Sequence, residues 1–462
     1  MLLKLSKFFT YASLFCVIVV LMGALFPFIG GKTYWFRVAI ELGIAFAFLW
    51  WAFEAPVGEA KRRFKEAWNR PLVVAVSFFV AAFLLASIFA DNPHGAFWSN
   101  YERGEGGFQM LHYYGLFMLL TLFASKREDW ERVFKIAIAA ALVVVFYGIG
   151  SAVLVQSNGV YTNPFGLVSA YAGPGGQPVA DSFLGRLFSP VVRFQGSLGN
   201  PAYVAPYLMF TMFYCFYLAI KSQKRRWWIG LGVFFFVFLI LTQTRGAFLG
   251  LGAAVITFFL YAALRGERKL KRFSLIVLLI ILLFNAGMFF FHDSDAVKRI
   301  PFAGRLYDVS SVESFATRVW TWGSAWEGFK ERPLLGWGPE NFPAVFDKHF
   351  DPRHFAPGKA TETWFDRAHS LFFDYLAETG LLGVLTFLGI FVTFFVGFFR
   401  RVRHGDESTI MQGLLFALPV GYLVQGLVLF DVLPIYINLF LFLAFAAWWM
   451  HHKKEENHTH AH

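Results

Sequence analysis

Apolar blocks of about 17–25 residues, long enough to span a bilayer as helix, recur along the whole chain. No other feature narrows the fold so far. Hydrocarbon holds no water to satisfy a backbone N–H or C=O, so each block must close its own hydrogen bonds, which selects helix. Twelve spans are predicted, at 8–29, 37–55, 71–90, 108–124, 134–155, 201–220, 227–243, 246–264, 273–291, 369–399, 410–430 and 434–450. Charged residues are 15% of the 462, against roughly 25% in soluble domains. The expected fold is all-α: a polytopic helical membrane protein with about twelve transmembrane helices.

The net charge of +11 raises nucleic acid as a partner, and the placement of the charges argues against it. With a cytoplasmic N-terminus, the inside segments hold 25 Lys and Arg and the short outside segments hold six. The other ten lie in one long outside loop, 292–368, which counts little toward topology. This positive-inside pattern puts both termini in the cytoplasm. The run Phe8 to Phe28 is longer than a signal-peptide core and lacks a small-x-small cleavage site after it, so it reads as an uncleaved span. Cys16 and Cys215 fall inside spans and read as core packing.

The expected organisation is spans one to nine over 1–291, a large outside loop over 292–368, spans ten to twelve over 369–450, and a cytoplasmic tail at 451–462. The histidine-rich tail reads as solvated, with weak metal binding as the alternative. Within the first stretch, 156–200 is so rich in Gly and Pro that a long helix is excluded. The long loop contains "SSVESFATRVWTWGSAWEGFKERP". Ser310 and Glu313 form a capping box there. Phe315, Val319, Trp322, Trp326 and Phe329 recur at helical spacing. The segment reads as an amphipathic helix lying on the membrane surface.

The stretch "RAHSLFFDYLAETGLLG", 367–383, holds groups that a span does not need. At 100° per residue, His369, Gly380 and Gly383 share one stripe of a helix. Small residues there would admit a second helix or a lipid chain. His369 stands at the outer interface, and two readings remain: an interfacial histidine, or a general base near neutral pH. Asp374 and Glu378 face elsewhere and read as supports. Arg245, in "LTQTRGAFLG", sits between two apolar runs with almost no loop. It either caps a tight turn or holds an anionic phosphate, which guanidinium binds bidentately. Arg318 among the tryptophans, Arg193 in "VVRFQGSLGNP" and Arg103 in "NYERGEGG" lie on the same outside face. Four arginines beside a histidine suit an anionic, lipid-linked substrate.

"HSLFFDYLAETGLLG" fits H-[NSQ]-x9-G-x-x-G through His369, Ser370, Gly380 and Gly383. Together with "TRG" at 244–246 and "RPLLGWGPENF" after Arg318, it resembles the O-antigen ligase family of bacterial inner-membrane glycosyltransferases. The resemblance is best over about 190–445. It implies transfer of a glycan from undecaprenyl diphosphate to an acceptor hydroxyl, with inversion and without a metal or other cofactor. His369 would take the acceptor proton. Arg245 and Arg318 would hold the diphosphate, and Arg193 and Arg103 are added on position. The acceptor stays open among lipid A core, another envelope polymer and a protein. The same superfamily contains O-antigen polymerases and pilin glycosyltransferases. No arginine of the larger loops has a glycine eleven residues on, which tilts the reading toward a ligase. A transporter or flippase for the lipid-linked glycan is the competing class. It would place polar groups at the bilayer midplane, whereas here they gather at the outer ends.

Overall fold

The computed structural model describes residues 1–100, 104–157, 160–166, 170–173, 176–291, 294, 310–355, 363–403 and 407–452. Among these, nine helices are long and apolar enough to cross a membrane: Gly30–Phe53, Pro71–Ile88, Arg127–Ser151, Pro201–Lys221, Arg245–Arg265, Arg268–Phe290, Leu371–Arg403, Thr409–Gly426 and Leu433–His451. Gly107–Phe123 and Arg225–Leu241 are shorter, at 17 residues each. All of these overlap predicted spans. Their starts are written locally. Pro opens 71–88, 201–221 and 433–451, where its missing N–H costs nothing. Asn200 and Ser408 accept from Ala202 N at 2.8 Å and Met411 N at 3.3 Å, satisfying first-turn donors.

The predicted first span, 8–29, folds differently. A helix Leu2–Ser13 passes into a 3-10 turn Leu14–Ile18, and the chain then runs irregularly to Ile29. Gly23 and Pro27 in "MGALFPFIGG" interrupt helix propagation. The carbonyl of Val19, left without a helical donor, accepts from Lys32 Nζ at 2.5 Å.

Helix Leu433–His451 is the axis of the bundle: 94% of its apolar window is buried, against 11% for Arg268–Phe290. A helix that is apolar all round belongs in the interior or in lipid. Phe445 on the axis meets the rings of Trp130, Phe134, Phe213 and Tyr217. Helix 268–290 instead turns Leu275, Ile276, Leu279 and Leu283 outward. The Gly/Pro-rich segment forms a hairpin, Val155–Ser157 with Val160–Thr162, then short helical turns at Ala170–Ala172, Phe183–Leu187 and Gly196–Leu198.

Helix Leu371–Arg403 breaks at Gly380 (φ 61°, ψ −163°). The chain at 333–338 docks on the break. Trp337 N and Gly338 N donate to the carbonyls of Ala377 and Glu378 at 2.9 and 2.8 Å. Leu381 N and Leu382 N donate to those of Pro333 and Leu334 at 2.8 and 3.2 Å. A Cβ on Gly380 would lie 2.5 Å from the Leu334 carbonyl carbon, and one on Gly336 would lie 2.5 Å from that of Glu378. Both positions also have positive φ, which glycine alone adopts without strain. The continuous stripe expected to join His369, Gly380 and Gly383 is therefore absent. His369 precedes the helix, and the wheel restarts at Gly380. The glycine admits the chain's own backbone, where a second helix or a lipid chain was expected.

The long-loop helix, Ser310–Glu331, packs small residues inward: Thr317, Thr321, Ser324 and Ala325 are buried. Phe315, Val319 and Trp326 of its expected apolar face point out. The capping-box side chains, Ser310 and Glu313, lie outside the described residues, as do the tail from 453 and Arg103. Under this helix sits a second, smaller core of Ala325, Trp337, Phe342, Val345, Phe346, Phe365, Ala368 and Ala377.

Candidate active site

His369 occupies the turn between this smaller core and the bundle. Its backbone is left-handed, with φ 56°, a conformation that costs about 1–3 kcal/mol for a residue with a side chain and persists only where surroundings enforce it. The enforcing bonds are visible. Asp374 Oδ1 accepts from Ala368 N at 2.6 Å, and Leu371 N donates to Leu429 O at 2.9 Å. Arg367 donates through Nη1 to both oxygens of Glu378, at 2.9 and 3.0 Å, and pairs with Glu340. Burial disfavours the Arg367 charge, and Glu340, Glu378 and Asp374 outweigh it, holding the guanidinium more firmly protonated than usual. Asp374 and Glu378 thus hold the turn that carries His369.

The imidazole is clamped edge-on between Phe365 and Phe430, with centroids at 5.3 and 5.1 Å. Nδ1 lies 3.1 Å from the carbonyl of Arg367. A carbonyl only accepts, so Nδ1 is the donor in this contact.

Two of the sequence-predicted arginines share another turn. Arg193 Nε donates to Thr242 O at 3.0 Å and its Nη2 to Thr244 Oγ1 at 2.9 Å. Phe194 N donates to Leu241 O at 2.9 Å. The residue after Thr244 is Arg245, the first of its helix. Gly246 behind it packs so closely that a Cβ would meet Val428 and Leu429 at 2.9 Å. The 428–430 segment therefore joins the Arg245 turn to the His369 turn. Arg318 lies on the long-loop helix, Ser310–Glu331. It lies one helical turn before Trp322 and on the same face, and Trp322 Nε1 donates to Ala368 O at 2.9 Å. Contacts of neighbouring residues therefore link the elements that carry Arg193, Arg245 and Arg318 to the His369 turn.

Sequence reasoning misses Arg367 and Glu340. Their pairing spans a helix break and a loop, so no helical spacing announces it. The one available signal was an arginine two residues before the histidine.

Two buried carboxyl groups lie near the turn. Burial raises Asp431 to about 7, opposed by the Tyr422 hydroxyl bonded to it. Burial raises Glu105 to about 8, opposed by Tyr113 OH at 2.9 Å. Between the ordinary carboxylate range and pH 8 the unfolded chain has lost the Glu105 proton and the folded chain keeps it. Stability therefore falls as pH rises through that window, by up to about 1.4 kcal/mol per unit. Glu105→Gln should flatten that fall and melt higher than wild type above pH 8. Thermal melting in detergent from pH 5 to 9 checks this, and parallel curves would contradict it.

Residues 230–388 match the family described as O-Antigen ligase. The matched stretch includes Arg245, Arg318 and His369 and leaves out Arg193 and Arg103. No curated protein matches the chain. The segment that carries the His369 turn, the 333–338 chain docked on the helix break and the Arg245 turn is thus similar to the O-antigen ligase family, which supports that superfamily for this polytopic helical protein.

Proposed function

We propose that the protein transfers a glycan from undecaprenyl diphosphate to an acceptor hydroxyl at the periplasmic face of the bacterial inner membrane, with both termini cytoplasmic. The acceptor is lipid A core, another envelope polymer or a protein. The reaction inverts the anomeric carbon and uses no metal. The observation that supports this reading is the left-handed His369 turn, which lies with Arg245 and Arg318 inside the stretch similar to the O-antigen ligase family.

The acceptor oxygen attacks the anomeric carbon opposite the diphosphate. The new carbon–oxygen bond forms as the bond to the diphosphate oxygen breaks, and undecaprenyl diphosphate departs with the electron pair. The acceptor proton passes to His369 Nε2, whose partner nitrogen is oriented by the Arg367 carbonyl. Arg245 and Arg318 neutralise charge developing on the leaving diphosphate, the kind of fixed electrostatic stabilisation that carries much of catalysis. Arg193 holds the Arg245 turn through Thr242 and Thr244. Arg103 joins the set by its place in the sequence.

Arg245→Ala and Arg318→Ala, assayed in proteoliposomes against lipid-linked donor, should each lower kcat/KM for donor by about 10²-fold. Lysine at 245 should recover part of it, since it restores charge without the bidentate fork. Wild-type kinetics for both alanine variants would reject the diphosphate clamp.

A further inference from the structure

A cavity of about 250 Å3 opens at the same end of the bundle, between the start of helix Gly30–Phe53 and the segment after the short helix Pro93–Trp98. It is lined by Thr33, Tyr34, Arg37, Trp98, Ser99 and Asn100. Tyr34 and Trp98 are about half exposed, at 52% and 49%. Arg37 is held in place: Nε donates to Gln109 Oε1 at 2.7 Å, Nη2 to Gly104 O at 3.2 Å, and the guanidinium lies 5.0 Å over the Phe108 ring. Ser99 is forced into a backbone conformation normally reserved for glycine (φ 66°, ψ −172°). Its hydroxyl accepts from Glu105 N at 3.0 Å, and its own N–H donates to Gly95 O at 2.8 Å. Strain maintained by surrounding bonds at a cavity wall points to function.

The cavity is not isolated. Thr33 also lines a second space of about 20 Å3, bounded by Lys32, Glu105, Tyr203 and Leu433, which has room for one water. Tyr203 meets the Phe430 ring at 6.4 Å, and Phe430 meets His369 at 5.1 Å. The wall of the outer cavity is thus continuous with the clamp on the imidazole. Asp91 and Asn92, just before the short helix, are also tied to the chain at 332–341: Asp91 N donates to Trp337 O at 2.8 Å, Asn92 N to Asn341 Oδ1 at 3.2 Å, and Arg332 pairs with Asp91 at 2.7 Å.

Two half-exposed aromatic rings, Trp98 braced by Phe97 and Phe108 at 5.0 and 4.9 Å, beside directional hydroxyl, amide and guanidinium groups call for a ligand with C–H faces and many hydroxyls. An anionic headgroup fits less well. Among the described lining residues Arg37 supplies the guanidinium, two of whose three nitrogens are engaged, and the Glu105 carboxyl borders the adjoining space. The volume lies just under the roughly 300 Å3 at which small-molecule pockets begin, which suits a ring-sized group. We propose that this cavity is a carbohydrate subsite that takes a sugar unit of the donor glycan, away from the reacting bond. The assignment of that glycan as donor rests on the function proposed above.

The probe is the glycan released by mild acid from the host's own lipid-linked donor, titrated calorimetrically against the full-length protein in detergent. Wild type and His369→Ala should bind it alike. Trp98→Ala and Tyr34→Ala should each weaken binding by about tenfold or more, the scale of a truncated aromatic anchor. Tyr34→Phe should keep most of it. Tyr34 and Trp98 lie on different elements, so a folding defect in one variant leaves the other informative. No binding by wild type, or unchanged binding in both alanine variants, would overturn the subsite. Displacement of the glycan by equimolar glycerol phosphate would also overturn it, marking a lipid-headgroup site. Aromatic-dependent binding together with transfer that survives His369→Ala would support the subsite while removing the catalytic reading.

Discussion

His369→Ala is expected to lower glycan transfer by about 10²–10⁴-fold, the usual contribution of a positioned general base, while the protein inserts and accumulates normally. The separation of these two effects follows from the geometry. The imidazole is half-buried, lies edge-on to Phe365 and Phe430, and its Nδ1 bonds the Arg367 carbonyl. Further bonds that hold its turn are made by other residues: Asp374 to Ala368 N, Leu429 O to Leu371 N, and Arg367 to Glu340 and Glu378. Alanine removes the proton acceptor and leaves those bonds in place. His369→Gln keeps a polar side chain without a titrating nitrogen and should fail similarly. Transfer assays on membranes normalised to protein level check both variants.

Gly380→Ala should destabilise the protein by about 3 kcal/mol or more and suppress transfer with it. Three costs fall at one atom. The φ of 61° is unfavourable for any residue with a Cβ, and strain of this kind is worth about 1–3 kcal/mol. The added carbon would lie 2.5 Å from the carbonyl carbon of Leu334 and 2.7 Å from Gly336 N. Backbone cannot swing aside as a flexible side chain does. Displacing it would loosen the four bonds between 333–338 and the helix break, and with them Glu340, which pairs with Arg367 beneath the histidine. Gly389, in the same helix with no atom within 4 Å of a built Cβ, provides the control. Alanine there should be neutral or slightly stabilising, since glycine is the poorer helix former by about 1 kcal/mol. Melting temperatures in detergent distinguish the two substitutions; equal melting would contradict the docking account.

The helical bundle was legible because hydrocarbon enforces it: length and apolarity alone place the spans from residue 30 onward. The first span was misjudged because hydropathy averages over Gly23 and Pro27, whose effect is local. Around His369 the sequence pointed to a continuous helical stripe that the structure does not form. Helical periodicity assumes an unbroken helix, and Gly380 breaks it to admit the 334–336 backbone, a contact 44 or more residues away in the chain. Arg193 and Arg245 looked like separate charges; Thr242 and Thr244 join them. Asp374 and Glu378 were read as supports from their face alone, and the structure supplies their partners, Ala368 N and Arg367. What sequence could not supply was every contact that crosses a loop, because no periodicity encodes it.

In the proposed reaction His369 drives glycan transfer from undecaprenyl diphosphate. The most direct measurement uses purified protein in liposomes loaded with lipid-linked donor and acceptor, following released undecaprenyl diphosphate and glycosylated acceptor together. Wild type should release one diphosphate lipid per glycan transferred, and His369→Ala should release neither above background. Wild-type rates from His369→Ala, or glycan crossing the bilayer with its diphosphate bond intact, would contradict the account.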